Sequence, residues 1–316
     1  MFQLMKTPGR VIGMLFAAAL FTAANAAVAR PGTVNYTEGQ VTLDGNAIQA
    51  HDLGSVEVAP DHTIHTAQGR AEILLTPGAY LRLGDQSAAR MDSASLTDTR
   101  VELLHGEALV EVAQIEPENH LQVLANGVET QLDKKGLYDF KTSPPQLAVY
   151  DGKAMVEAND RSVKVDKGHE YPLTAEAEVK PQKFDRKQTD SLYDWSKLRS
   201  DYLAQANESS VNAIVVDRPG WYYGTGWYWN PWYSTWAFVP GGGYLMSPFG
   251  FGFYSPTYWV YHAPVYYHTR PGVVVTPRGW HGVRPGPRRV PALRGTAPVA
   301  RPSMRGSFAG HGGHRR

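Results

Sequence analysis

Residues 69–83 read GRAEILLTPGAYLRL, and this stretch decides the fold. Apolar side chains recur at alternate positions on both sides of Thr76-Pro77-Gly78, which is a sequence typical of turns. Alternation with period two puts one set of side chains on each face of an extended chain. The stretch therefore predicts two β-strands joined by a turn.

The same pattern extends over residues 30–175, where turn residues separate short apolar runs and no period of 3.6 is sustained. Asn-Gly and Asp-Gly accept the positive φ angles of tight hairpins, so hairpin turns are predicted at four places. These are Asp44-Gly45, His105-Gly106-Glu107, Asn126-Gly127 and Asp151-Gly152. The pattern predicts an all-β domain, either a β-sandwich or a short β-solenoid.

A weak internal repeat favours the solenoid. GEALVEV at residues 106–112 matches GKAMVEA at residues 152–158. The other interpretation is that two β-hairpins simply resemble one another.

Several of these strings resemble the FecR-domain family. They are residues 69–75, 77–78 and 81–83, the aliphatic residues and glycines of 103–112 and 149–156, and Lys167-Gly168. The resemblance covers about residues 32–170 and implies a β-rich domain of the cell envelope, with no catalytic residues. Signalling members of the family connect an outer-membrane receptor to a cytoplasmic sigma factor through an N-terminal cytoplasmic segment. Because only ten residues precede the first apolar stretch here, we expect no sigma-factor regulation.

Residues 1–29 have the pattern of a Sec signal peptide. Lys6 and Arg10 precede an uncharged apolar run, and small residues allow cleavage near Ala26 or Ala29. An uncleaved anchor is the alternative, but the run is short for a membrane span. The sequence thus predicts a periplasmic or secreted protein. The absence of Cys excludes disulfides and a lipidated N-terminal Cys.

One amphipathic helix is predicted from Phe184 to Ala206, within a linker-and-helix region at residues 176–210. Its apolar stripe comprises Leu192, Trp195, Leu198, Tyr202 and Leu203. Docking on the β domain is preferred to binding a partner.

Residues 211–267 form an aromatic, Gly/Pro-rich segment, with 20 Trp, Tyr or Phe among the 47 residues 221–267. Three interpretations stay open: an extended core, stacking on glycans, and self-association. The candidate binding residues are Trp227, Trp229, Trp232 and Trp236.

Charge divides the chain into two unequal parts. Residues 1–217 carry 20 Lys+Arg against 30 Asp+Glu, whereas residues 218–316 carry eleven Arg and no Lys, Asp or Glu. The tail at residues 268–316 is predicted to be disordered. Arg284, Arg288 and Arg289 are its candidate binding residues, for anionic or glycan envelope components or another envelope protein. The alternative is a solvated tail with no specific partner. No intracellular nucleic acid is expected.

Nothing in the sequence has the spacing of a catalytic motif. The pairs His62/His65 and His311/His314 are interpreted as incidental, so no metal and no cofactor are predicted. The sequence therefore predicts a non-enzymatic, exported envelope protein that binds or scaffolds. The alternative is a periplasmic sensory or regulatory protein that acts on a membrane partner.

Overall fold

A computed structural model describes residues 29–158, 161–174, 180–217 and 224–262. Most of the predicted signal peptide and the whole Arg-rich tail therefore lie outside the described residues. Within them, fifteen strands form one large mixed sheet. The strands are β1 Val34–Leu43, β2 Asn46–Ala47, β3 Thr63–Leu74, β4 Ala79–Leu83, β5 Ala88–Ser95, β6 Asp98–His105, β7 Glu107–Val112, β8 His120–Ala125, β9 Val128–Gln131, β10 Gly136–Thr142, β11 Pro145–Asp151, β12 Lys153–Ala158, β13 Arg161–Asp166, β14 His169–Pro172 and β15 Gln182–Lys183.

The long strand β3 connects the two halves of this sheet. The strand order is β13-β12-β9-β8-β6-β5-β3-β4-β7-β10-β11-β14-β15, with β1 paired to both β2 and β3. Residues 63–65 of β3 pair with β5, and residues 71–74 pair with β4. The β6–β8 pair is parallel, and the other pairs among the described strands are antiparallel.

One hydrophobic core lies between the two halves, which confirms the all-β prediction. Ile73, Leu81 and Val110 come from one half, and Val101 and Val123 from the other. Because side chains alternate across a strand, the residues between these positions point to the opposite, outer face. That outer face carries the site described below.

The predicted hairpins at Asp44-Gly45 and Asn126-Gly127 are confirmed. Both residues of each pair have positive φ, and the flanking residues Leu43 and Asn46 pair directly across the first turn. Two left-handed residues in a two-residue loop match the right-handed twist of the flanking strands.

The predicted hairpins at Gly106 and Gly152 are wrong. β6 pairs with β5 and β8, whereas β7, after Gly106, pairs with β4 and β10 in the other half of the sheet. The chain crosses back at Gly152, from β11 to β12. Both glycines have φ near +90°, and a Cβ on Gly106 would lie 2.6 Å from the Ser87 Cα. The internal repeat is thus the same crossing element used twice.

The helix α1 spans Ser191–Asp217, so it begins and ends later than predicted. The Asp190 side chain accepts a hydrogen bond from the Tyr193 backbone N–H at 2.8 Å and caps the helix. Phe184 is not helical: its backbone N–H donates to the Gly168 carbonyl at 3.2 Å, directly after the short strand β15. The backbone of residues 182–184 thus finds hydrogen-bond partners at the edge of the sheet. Sequence periodicity did not indicate this edge strand.

The aromatic segment forms two small hairpins and a short helix. These are β16 Gly226–Asn230 with β17 Thr235–Val239, β18 Tyr244–Met246 with β19 Gly252–Tyr254, and α2 Pro256–His262. Phe238 and Phe253 pack with Leu203 of α1 and with Leu74 and Tyr80 of the sheet. The described part of the segment therefore extends the core, which is one of the three interpretations left open by the sequence.

Candidate binding surface

A buried ionic cluster lies on the outer face of β3, β4 and β7. The Arg82 Nε atom is 2.9 Å from the Glu72 Oε2 atom, and its Nη1 atom is 2.7 Å from the Glu111 Oε2 atom. All three side chains are fully buried. Because unpaired charges are costly to bury, this face requires a partner that completes the charge balance.

Helix α1 supplies that partner. Arg199 donates from Nη2 to Glu72 at 2.8 Å, and Ser200 donates from Oγ to Glu111 at 2.7 Å. The Arg199 guanidinium also lies 4.1 Å from the centre of the Tyr36 ring. Two Arg and two Glu thus balance one another between the sheet and the helix.

The pKa of Glu72 reports this balance. Burial by itself would raise the pKa, but the charges of Arg199 and Arg82 and their hydrogen bonds outweigh burial and lower it to about 2. Glu72 is therefore ionised at neutral pH.

Three buried asparagines attach the aromatic segment to this framework. Asn35 accepts from the Trp236 backbone N–H at 2.8 Å and donates to Glu72 at 3.0 Å. Asn207 of α1 accepts from the Tyr254 N–H and donates to the Phe238 carbonyl, both at 2.8 Å. A side-chain amide that both donates and accepts fixes the position and the orientation of the segment it bonds.

The third asparagine, Asn230, orders the turn between β16 and β17. Its Nδ2 group donates to the Ala206 carbonyl of α1 at 3.0 Å. Its Oδ1 atom accepts from the backbone N–H groups of Trp232 and Tyr233, at 3.0 and 3.2 Å. The Tyr202 hydroxyl of α1 donates to the Tyr233 carbonyl at 2.8 Å. The turn is therefore held by α1 before any ligand arrives.

The four predicted tryptophans have different surroundings. Trp236 is 5% exposed and donates from Nε1 to the Gly54 carbonyl at 2.8 Å. Trp227 is half-buried, with its ring centre 5.1 Å from that of Tyr80. Trp229 is 42% exposed and Trp232, in the turn, is 87% exposed. The structure therefore brings Trp229 and Trp232 to the surface, while Trp236 packs inside. Arg284, Arg288 and Arg289 lie outside the described residues.

A second exposed aromatic surface lies on α2, and no candidate residue was predicted there. Tyr261 is 83% exposed and Tyr244 of β18 is 40% exposed. Sequence signals for α2 exist: the Ser255 hydroxyl accepts from the Tyr258 N–H at 3.1 Å, and Pro256 occupies the first helical position. Ser followed by Pro is a common start of a helix.

A separate charged cluster fixes the start of α1. The Lys141 Nζ atom lies 2.7 Å from Glu107, 2.8 Å from Asp190 and 3.6 Å from Asp139. The three carboxylates have oxygen atoms within 4.8 Å of one another, a spacing that could hold a metal ion. Because the Lys141 ammonium contacts all three, this side chain already supplies a cation to the cluster.

The carboxylates of this cluster have divergent pKa values. Burial raises the pKa of Asp139 well above its ordinary value, and the neighbouring Glu107 and Asp190 charges act in the same direction. For Asp190, hydrogen bonds with Glu107, Lys141 and the Tyr193 N–H outweigh burial and lower the pKa to about 2. Burial also raises the pKa of Glu107, so the pKa values of Asp139 and Glu107 are raised while that of Asp190 is lowered.

Comparison with protein families identifies the central part of the sheet. The FecR protein family model matches residues 62–155. The chain contains a FecR domain.

Two crystal structures of candidate anti-sigma factors from Parabacteroides distasonis ATCC 8503 are similar to the chain. The first is 15% identical in sequence, with a TM-score of 0.36. The matched region covers 43% of this chain and 64% of that protein's chain. This chain thus spans less than two thirds of that protein. The second is 12% identical in sequence, also with a TM-score of 0.36. Its matched region covers 57% of this chain and 99% of that protein's chain. No curated protein matches the chain.

The FecR domain supplies only half of the candidate site. Glu72, Arg82 and Glu111 lie within the matched residues, whereas Arg199 and Trp232 lie beyond them. The exposed rings therefore belong to a layer added to one face of the FecR domain. Among the described residues, no helix combines the length and apolarity that crossing a membrane requires.

Proposed function

We propose that this protein is a non-enzymatic, exported binding protein of the bacterial cell envelope. In this proposal the FecR domain is the scaffold, and the outer layer presents aromatic side chains to an envelope partner. The signal-like sequence at residues 1–29 and the match to the FecR family support an envelope location.

The observation that carries the proposal is the exposure of Trp232 on an ordered turn. A tryptophan that is 87% exposed gains little for folding, so its large apolar ring is available for contact. Because Asn230 and Tyr202 already fix the turn, binding there would cost little ordering entropy. Trp229 lies two residues before the turn and adds a second partly exposed ring.

The partner class that best fits the two surface indole rings is a glycan of the envelope. Indole faces stack on the C–H faces of sugar rings, and the indole N–H can bond a hydroxyl group. The described residues 224–262 contain no Asp, Glu, Lys or Arg, so this surface does not depend on ion pairing.

Trp232→Ala tests the proposal by co-sedimentation of the purified protein with isolated envelope fractions. We expect roughly a tenfold or greater loss of binding, as found for central aromatic residues of interfaces. Leu198→Ala is the matched control, because Leu198 is 66% exposed on α1 and contributes nothing to the turn. Equal binding by both variants and the unaltered protein would reject a role for the turn. Loss of a dimer, rather than of envelope binding, would assign Trp232 to self-association.

The FecR match favours a second candidate function, a periplasmic regulatory protein that acts on a membrane partner. Site-specific cross-linking from the exposed Arg100 position within the FecR domain distinguishes the two. A cross-linked membrane protein that is retained in Trp232→Ala would support regulation, whereas cross-links that depend on Trp232 would support the binding surface.

A further inference from the structure

Two histidines that are distant in the sequence lie side by side on the FecR domain. His65 of β3 and His105 of β6 both pair with Ala88 of β5, one on each side. The centres of the two imidazole rings are 6.2 Å apart. Strand register therefore brings together two side chains that can ligate a metal, whereas sequence proximity pairs His65 with His62.

Both rings lean over Ala88. Neighbouring strands lie about 4.8 Å apart, so two strand spacings separate the backbones of the histidines by about 9.6 Å. The shorter distance between the ring centres means that the side chains converge. Since Ala89 points into the core, Ala88 points to the outer face, where it is nevertheless fully buried. A small residue between the histidines thus leaves space that the converging rings fill.

The two imidazoles are accessible to a ligand. Both histidines are exposed, and among the described residues neither ring has a hydrogen-bonding partner. His62 differs in this respect, because its Nδ1 atom bonds the Asp44 carboxylate. A neutral imidazole has one nitrogen with a free lone pair, so His65 and His105 each offer one ligand atom.

The spacing of the rings fits a shared metal ion. An imidazole nitrogen binds Zn²⁺ at about 2.0–2.1 Å, so two imidazoles on one ion have ring centres roughly 4.5–6.5 Å apart, depending on the angle between the bonds. The observed separation lies in this range. The broad torsional preference of the imidazole ring lets both nitrogens turn towards the ion. Imidazole suits Zn²⁺ and Cu²⁺, whereas Mg²⁺ prefers oxygen ligands.

We propose that His65 and His105 bind a divalent transition-metal ion, Zn²⁺ or Cu²⁺, on the outer face of the FecR domain. Structural zinc sites have four protein ligands. Two ligands here leave positions for water or for a donor atom of another molecule. The site goes beyond the proposed function, because it lies on β3 and β6 and uses neither Trp229 nor Trp232.

The direct test is isothermal titration calorimetry of the full chain with Zn²⁺, with Mg²⁺ as the comparison ion. His65→Ala and His105→Ala should each weaken Zn²⁺ binding by roughly 10–100-fold, since losing a residue that only supports a metal ligand already has an effect of that size. His120→Ala is the matched control and should bind normally. His120 is also exposed, but it pairs with Asp98 at the other end of β6.

A second histidine pair, His311 and His314, can bind Zn²⁺ independently, so each variant is also made in a chain with His311→Ala and His314→Ala. Electron paramagnetic resonance of bound Cu²⁺ gives a second measurement. We expect two imidazole nitrogens on the ion in the unaltered site, and one in His65→Ala or His105→Ala.

Unchanged Zn²⁺ affinity in both single variants would overturn the assignment. Binding that disappears when only His311 and His314 are replaced would also overturn it, and equally strong binding of Mg²⁺ would reject an imidazole site. Co-sedimentation with envelope fractions should be the same for His65→Ala as for the unaltered protein. Failure of the metal site and failure of the Trp232 surface are therefore separate results.

Discussion

The two faces of the β4–β7 half of the sheet are stabilised in different ways. The inner face packs aliphatic side chains such as Ile73, Leu81 and Val110 into the core between the halves. The outer face buries Glu72 and Arg82 at the alternate positions and covers them with α1. Hydrophobic packing tolerates small changes of shape, whereas buried ions require every partner to be present. The inner face therefore specifies the sheet, and the outer face specifies what docks on it.

The largest expected effect comes from breaking the charge balance of the outer face. Arg82→Met leaves Glu72 and Glu111 with one arginine between them, and should lower the free energy of unfolding by about 3–5 kcal/mol. Chemical denaturation measures this change. Ile73→Val on the inner face is the comparison and should cost about 0.5–1.5 kcal/mol. If Arg82→Met costs no more than Ile73→Val, the outer face is not held by its ions.

Acid should act mainly on the outer face. The pKa of Glu72 is lowered from its ordinary 4.5 to about 2 in the folded protein, so its stabilising effect is complete above pH 4.5 and is lost as pH falls towards 2. We expect this group to account for roughly 3 kcal/mol of the loss across that interval. Glu72→Gln should flatten the dependence when unfolding is followed by denaturation at each pH. An unchanged slope in this variant would show that other carboxylates carry the acid sensitivity.

Asp139 should show the opposite dependence on pH. Burial raises its folded pKa above the ordinary 3.8, so the unfolded chain ionises first and stability falls as pH rises above 3.8. Asp139→Asn removes this penalty and should stabilise the protein at pH 7 by about 1 kcal/mol, measured by thermal and chemical unfolding. Destabilisation by this change would mean that Asp139 is ionised and is needed by Lys141. Asp133→Asn, at an exposed position, is the control.

The inner face was predictable because alternation is a local property. Ala71, Ile73, Leu81 and Leu83 show it within fifteen residues, and all four are in the core. The tight hairpins were also predictable, since two left-handed residues in succession leave few other conformations. The connections at Gly106 and Gly152 were not predictable. One left-handed glycine fits a hairpin as well as a crossing between the halves of the sheet, and the choice depends on distant strand partners.

The outer layer was only partly predictable. Glu72 and Glu111 occupy positions that would face solvent in a two-layer protein, and their cover comes from residues more than eighty positions later. Periodicity predicted the docking stripe of α1 correctly at Leu192, Trp195 and Leu203, which are buried. It was wrong at Leu198, which is 66% exposed. Aromatic composition identified the binding segment, but it could not separate the buried Trp236 from the exposed Trp232. That difference is set by distant contacts: the Trp236 backbone N–H donates to Asn35, and its indole N–H donates to the Gly54 carbonyl.

The charged outer face has a consequence for how the chain reaches its final form. Translation delivers the strands before α1 and the hairpins, so the sheet can assemble while its cover is still missing. An apolar outer face at that stage would promote aggregation, as transiently exposed apolar surface commonly does. We expect Glu72, Arg82 and Glu111 instead to give the uncovered sheet a hydrated strip, which loses its water when Arg199 and Ser200 dock. The ions that require an exact partner in the finished interface should thus also limit aggregation of its precursor.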